Sequence, residues 1–258
     1  MKRFERYVAL GDSSTEGLDD PDGRGGFRGW ANRLAEKVAA AHGALLYANL
    51  GVRGRTTRQI REEQLAPALE MRPDLVTLFS GTNDVIARRL DVTALAEDIR
   101  VMQRALAGAG AVVLTFTLPD LTPVMPLARI FASRVAALNA ALRSVSRETG
   151  AILVDVAAHP VAGDWRLWSE DRLHANTEGH TRIAAALAQA LGLPGTDGSW
   201  SEPLPGTPSR SAGQWIRAEL AWAGRHAAPW AWRHLWGRSS GDGREPKRPR
   251  LLPFEVVD

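Results

Sequence analysis

From Arg6 to about Leu193, short apolar runs alternate with longer stretches whose apolar residues recur every three or four positions. This alternation constrains the fold more than any other feature. Runs at 7–10, 45–50, 75–80, 112–117 and 152–155 read as strands. Between and after them lie four helical stripes, carried by Trp30, Leu34, Val38 and Ala41; by Val92, Leu95, Ile99, Met102 and Leu106; by Phe131, Val135, Leu138, Leu142 and Val145; and by Ile183, Leu187 and Leu191. Steps of three and four bury one side of a helix. Strand–helix–strand repetition predicts an α/β domain with a parallel sheet and helices on both faces. In such sheets ligands bind beyond the carboxyl ends of the strands. The residues that follow each strand are therefore where chemistry is sought.

The stretch 118–129 breaks the pattern. Pro119, Pro123 and Pro126 stand among Leu121, Val124, Met125 and Leu127, which excludes a regular helix. It reads as an apolar loop, placed over the crevice or packed on the body.

After Leu193 the texture changes. Residues 194–213, rich in Gly, Pro, Ser and Thr, read as a linker after a catalytic domain at 1–193. Residues 214–236 carry five tryptophans and read as a helical segment, and 237–258, dominated by Gly, Pro and Arg, as a disordered tail. The formal net charge is +3, but residues 210–250 hold nine Lys and Arg against three Asp and Glu. The basic character belongs to this extension, so it gives no reason for the main domain to bind nucleic acid. Indole rings and cations together suit a membrane surface or a protein partner; packing on the domain is the other reading.

The chain has no cysteine, which removes disulfides, thiolate metal sites and cysteine nucleophiles together. No apolar run approaches the roughly 20 residues that span a bilayer. The first residues lack the pattern of a secretory signal, so the expected location is cytoplasmic.

Four short segments carry the chemistry. The first strand ends in Gly11-Asp12-Ser13-Ser14-Thr15-Glu16-Gly17, which puts a serine hydroxyl at the crevice. It is not the G-x-S-x-G elbow, because position 15 is Thr. The second strand leads to Gly54, whose N–H can meet a bound oxygen, and the third to Asn83, whose amide can donate to one. Read singly, each is also an ordinary turn. Asp171 and His174, three apart before the last helix, can face each other and leave one ring nitrogen to take a proton from Ser13. The same pair can ligate a metal, but no further ligand cluster accompanies it.

Together the four segments resemble the GDSL, or SGNH, hydrolases in their usual chain order. Gly11-Asp12-Ser13-Ser14 matches the first block, with Ser in place of Leu; Gly54 the second; Gly81-Thr82-Asn83-Asp84 the third; and Asp171-x-x-His174 the fifth. The resemblance covers about residues 6 to 192. It implies a flavodoxin-like α/β/α sandwich with a five-stranded parallel sheet and no metal or organic cofactor. It implies Ser13 as nucleophile, His174 as general base and then acid, and Asp171 as its orienter. The N–H groups of Ser13 and Gly54 and the side chain of Asn83 would form the oxyanion hole. The implied activity is carboxylic ester hydrolysis through an acyl-enzyme. Small or medium acyl chains are expected, and the apolar 118–129 loop favours an acyl-chain pocket over a sugar site; carbohydrate O-deacetylation and thioester hydrolysis are the alternatives.

Other polar residues near these segments have humbler readings. Ser14, one step along, points elsewhere, and Asp12 braces the turn. His180 packs in the last helix, His42 and His159 have no partner close in sequence, and Trp165 and Trp168 either wall the pocket or pack. Arg53, Arg55 and Arg58 form a solvated basic face or attract an anionic substrate.

Overall fold

The computed structural model describes residues 2–206, 222, 224–225 and 241–255. The strands are β1 (Arg6–Gly11), β2 (Leu46–Asn49), β3 (Leu75–Phe79), β4 (Val112–Phe116), β5 (Ile152–Val154) and β6 (Arg248–Pro253). The helices are α1 (Ser13–Glu16), α2 (Gly29–His42), α3 (Thr57–Glu70), α4 (Thr82–Ile86), α5 (Val92–Gly108), α6 (Ala132–Thr149) and α7 (Thr177–Ala190). All five expected strands and all four helical stripes have their counterparts here.

The sheet order is β5-β4-β3-β1-β2-β6. The first five strands are parallel to their neighbours, in the flavodoxin-like order. The expected count of five is corrected to six, because β6 pairs antiparallel with β2 at the edge. The expectation of a disordered tail therefore fails for 248–253. The strand includes Pro249 and Pro253, and an edge strand tolerates prolines because one of its sides needs no amide hydrogens for the ladder. The Trp-rich 214–236 segment lies outside the described residues except for Trp222, Gly224 and Arg225. Among the described residues no helix is long and apolar enough to cross a membrane.

Successive side chains of a strand point to opposite faces, and the core divides accordingly. Tyr7, Ala9, Tyr47 and Phe116 meet Trp30, Leu34 and Val38 of α2 and Ala184 and Leu187 of α7. Val8, Leu10, Val76 and Leu78 meet Ile60 of α3 and Met102 and Leu106 of α5. Trp30 is fully buried and sits edge-on to Phe116, whose ring stacks on Phe79 at 4.1 Å. The two stacked rings lie at the carboxyl ends of β3 and β4 and make the floor of the crevice.

Two side-chain amides hold the ends of strands. Gln64 of α3 accepts from Gly11 N (2.8 Å) and donates to Gly11 O (2.9 Å). Asn139 of α6 does the same for Leu118, at 2.9 and 2.8 Å. Each amide replaces one rung of a ladder where the strand ends, so the buried backbone keeps its partners. Gly11 itself admits no side chain, since a Cβ would lie 2.5 Å from the Phe79 carbonyl oxygen.

Candidate active site

Ser13 opens α1 directly after β1. Asp12, fully buried, caps this helix by accepting from Ser14 N at 3.0 Å. Ser14 also borders the crevice, but its hydroxyl accepts from the Trp30 indole N–H at 3.1 Å. One residue's difference on a helix start thus gives Ser13 the imidazole as partner and Ser14 an indole.

Asp171 and His174 occupy a tight loop before α7. Asp171 Oδ1 accepts from Leu173 N (2.9 Å), His174 N (3.0 Å) and the Ser169 hydroxyl (2.6 Å). Its Oδ2 lies 2.6 Å from His174 Nδ1. Arg172 adopts a left-handed backbone (φ 62°) that closes the loop. Below it, Asn176 caps α7 through Gly179 N and donates to the Arg166 carbonyl. The loop is therefore fixed from within and from the helix it precedes. His174 Nε2 then lies 2.8 Å from Ser13 Oγ, joining residues 161 positions apart.

Burial alone would discharge His174, but the hydrogen bond to Asp171, reinforced by the charges of Asp171, Asp19 and Asp12, raises its pKa above the usual value. Burial likewise works against the Asp171 carboxylate. Its bonds to His174 and Ser169 outweigh that and hold its pKa far below the carboxylate range. Burial pushes Asp12 up to about 7.

Gly54 lies on the turn between β2 and α3 with φ 77°, a conformation that favours glycine. Asn83 lies on α4, and its Nδ2 donates to Arg55 O (3.0 Å) and Asp12 Oδ2 (3.3 Å). Asp84 ties α4 to the start of α3 by accepting from the N–H and hydroxyl of Thr57, each at 2.9 Å. Asp12, Ser13, Gly54, Asn83, Asp171 and His174 all line one cavity of about 720 Å³. Its remaining wall is largely apolar and includes Phe79, Leu118, Met125, Phe131, Leu167 and Trp168. The 118–129 loop thus lies over the crevice, with a short helical turn (Pro126–Phe131) at its end.

Sequence reasoning missed one carboxylate. Asp19, exposed and with a left-handed φ of 65°, reaches within 3.9 Å of His174 Nδ1. The next residue, buried Asp20, anchors it: Asp20 holds Arg33 through two bonds and accepts from Gly29 N and the Thr177 hydroxyl. Asp19, Asp171 and His174 are also the group of described residues whose ligand atoms come close enough for a metal. Two of the three atoms are engaged with each other, Asp171 Oδ2 and His174 Nδ1 lying at hydrogen-bond distance.

The other weighed residues are structural. His180 accepts from Trp30 N and donates to Leu18 O; burial lowers its pKa to about 4, so it stays neutral. His42 accepts from Phe4 N, and His159 meets the Trp200 ring. Trp168 lines the cavity while its N–H donates to Ala162 O. Arg53, Arg55 and Arg58 pair with Glu16, Glu63 and Glu62, so the basic cluster is internally neutralised.

With a serine, an imidazole and a carboxylate in line at one end of a flavodoxin-like sheet, likeness to known proteins becomes informative. The profile of the GDSL-like Lipase/Acylhydrolase family matches residues 9–182, well over half the chain. The chain belongs to this family. Carboxylic ester hydrolysis is the chemistry that membership assigns to it. An acetylxylan esterase of Geobacillus stearothermophilus is 23% identical over 214 residues, covering 73% of this chain and 94% of its own. The lipase/acylhydrolase of Enterococcus faecalis superposes with a TM-score of 0.61 at 21% identity, over 75% of this chain and 99% of its own. LAE5, an alpha/beta hydrolase from the metagenome of Lake Arreo, also gives 0.61, at 22% identity, over 73% and 95%. At these identities the structural likeness speaks for the fold alone.

Proposed function

We propose that this GDSL-family chain hydrolyses carboxylic esters through a covalent acyl-enzyme on Ser13. The reading rests on the unbroken line from Ser13 Oγ to His174 (2.8 Å) and from His174 to Asp171 (2.6 Å). A serine hydroxyl is a weak nucleophile near neutral pH and needs an adjacent base.

Ser13 Oγ attacks the acyl carbon as its proton passes to His174 Nε2. Asp171 keeps the ring in the tautomer that leaves Nε2 free to accept, and stabilises the imidazolium that forms. The carbonyl oxygen becomes an oxyanion, met by the N–H groups of Ser13 and Gly54 and by the Asn83 amide, which turns from its longer bond to Asp12 (3.3 Å) to reach it. Collapse breaks the bond to the alcohol oxygen, which leaves with the proton from His174. Water then attacks the acyl-enzyme, giving its proton to His174, and expulsion of Ser13 Oγ, reprotonated from His174, releases the acid.

The apolar cavity favours medium acyl chains over a sugar-bound acetyl group, because apolar walls gain from burying methylenes and offer few partners to hydroxyls. Carbohydrate O-deacetylation is the second reading, favoured by the likeness to an acetylxylan esterase. Nitrophenyl esters from acetyl to decanoyl, assayed beside acetylated xylan and acyl thioesters, separate these readings. Activity confined to acetylated sugar contradicts the preferred one. Equal ester hydrolysis by Ser13→Ala contradicts both.

A further inference from the structure

Trp222 and Arg225 both line the cavity that holds Ser13, His174 and Asp171. The family match ends at residue 182. The relatives are matched over 94% to 99% of their own length while using only 73% to 75% of this chain. The two residues therefore belong to an addition outside the likeness.

Trp222 meets the loop that carries the Asp–His pair. Its indole N–H donates to the carbonyl oxygen of Asp171 at 3.0 Å. The Arg172 guanidinium lies over its ring, 4.9 Å from the centroid, where a cation is attracted to the aromatic face. Arg172 is also the residue whose left-handed backbone closes the Asp171–His174 loop. Arg225, three residues further on, borders the same cavity. A tryptophan that merely covered the domain's surface would have no need to bond the Asp171 carbonyl or to border the serine's cavity.

We propose that Trp222, which lies outside the family match, completes the active site, serving as a specificity-determining wall for extended apolar substrates and as a brace on the Asp171 loop. This deepens the serine-esterase reading and rests on it. The indole suits both tasks, since its ring offers apolar area to a chain while its N–H satisfies a backbone oxygen. The wall acts on the part of a substrate that reaches beyond the ester, so its effect grows with substrate length. The brace acts on the Asp–His pair and so weighs on every substrate alike.

The test compares kcat/KM for acetyl and octanoyl nitrophenyl esters in the 258-residue protein, Trp222→Ala and Trp222→Phe. Trp222→Ala is expected to lower the octanoyl-to-acetyl ratio about tenfold, the factor set by losing one good apolar contact. Trp222→Phe keeps a ring but no donor. It is expected to restore most of that ratio while kcat falls several-fold for both esters. An unchanged ratio in Trp222→Ala, with an unchanged melting midpoint, overturns the wall. Should that variant not fold, Trp222→Leu gives the same comparison, and an unchanged ratio there overturns it equally. Ser13→Ala, run alongside, keeps the two failures apart. If it retains activity the serine reading falls, whereas a length-blind Trp222 variant in a Ser13-dependent enzyme overturns only the present proposal.

Discussion

His174 Nδ1 faces two carboxylates, Asp171 at 2.6 Å and Asp19 at 3.9 Å. The second contact comes from a left-handed aspartate that the bonds of its neighbour Asp20 hold in place. It adds negative charge beside the imidazole, where a proton resides during each half of the proposed reaction.

The pH profile should register this. Catalysis needs neutral His174, so kcat/KM is expected to rise with pH through the pKa of that ring. Although burial opposes it, bonding and charge from Asp171, with Asp19 and Asp12, set that pKa above the usual histidine value, while His180 stays neutral nearby. Asp19→Asn removes one source of the upward shift. The rising limb is then expected to move to lower pH, with a modest fall in the plateau. A limb that stays in place removes Asp19 from the account.

Asn83 offers a sharper test of the oxyanion site. Asn83→Ala is expected to lower kcat about 10²–10³-fold with little change in KM, since the lost donor serves the transition state. The amide also bridges Arg55 O and Asp12. A melting curve should accompany the kinetics.

Asp171→Asn should keep the shape of the loop but favour the wrong ring tautomer. A fall of about 10³–10⁴ in kcat is expected. Activity within a few-fold of the parent would mean that Asp19 or another group orients His174.

Lys247, just before β6, gives a prediction about stability. Its half-buried side-chain nitrogen donates to the carbonyls of Phe27 (2.8 Å) and Arg28 (2.9 Å), and desolvation depresses its pKa to about 7. Folding lowers this pKa from the ordinary lysine value, so the unfolded chain binds more protons between about pH 7 and 10. This lysine's contribution to stability therefore grows as pH rises through that window and is lost as pH falls towards 7. Lys247→Met is expected to flatten that dependence in urea titrations while leaving two carbonyls short of a donor. An unchanged slope contradicts a depressed pKa for this lysine.

The sequence disclosed the parts of the fold whose cause is local. Val8, Leu10, Val76 and Leu78 had to be buried somewhere, and their short apolar runs between amphipathic stripes said how. The Ser13, Asn83 and His174 segments could be read because each follows or precedes such an element. What stayed hidden depends on tertiary context. The strand Arg248–Pro253 has two prolines and two arginines and looks unfit for a sheet until an unpaired edge on β2 is available. The left-handed turn at Asp19 is imposed by contacts of Asp20 with Arg33, Gly29 and Thr177. No local pattern marks Gln64 as the partner of Gly11, because the bond spans 53 residues.

The central claim is that Ser13 becomes acylated by virtue of its alignment with His174. Treating the protein with a serine-reactive alkyl phosphonate and mapping the adduct by peptide mass spectrometry tests this most directly. One adduct per chain on the Ser13 peptide is expected, absent in Ser13→Ala and formed far more slowly in His174→Ala. Inactivation with the adduct on Ser14 or another residue, or full labelling speed without His174, would contradict it.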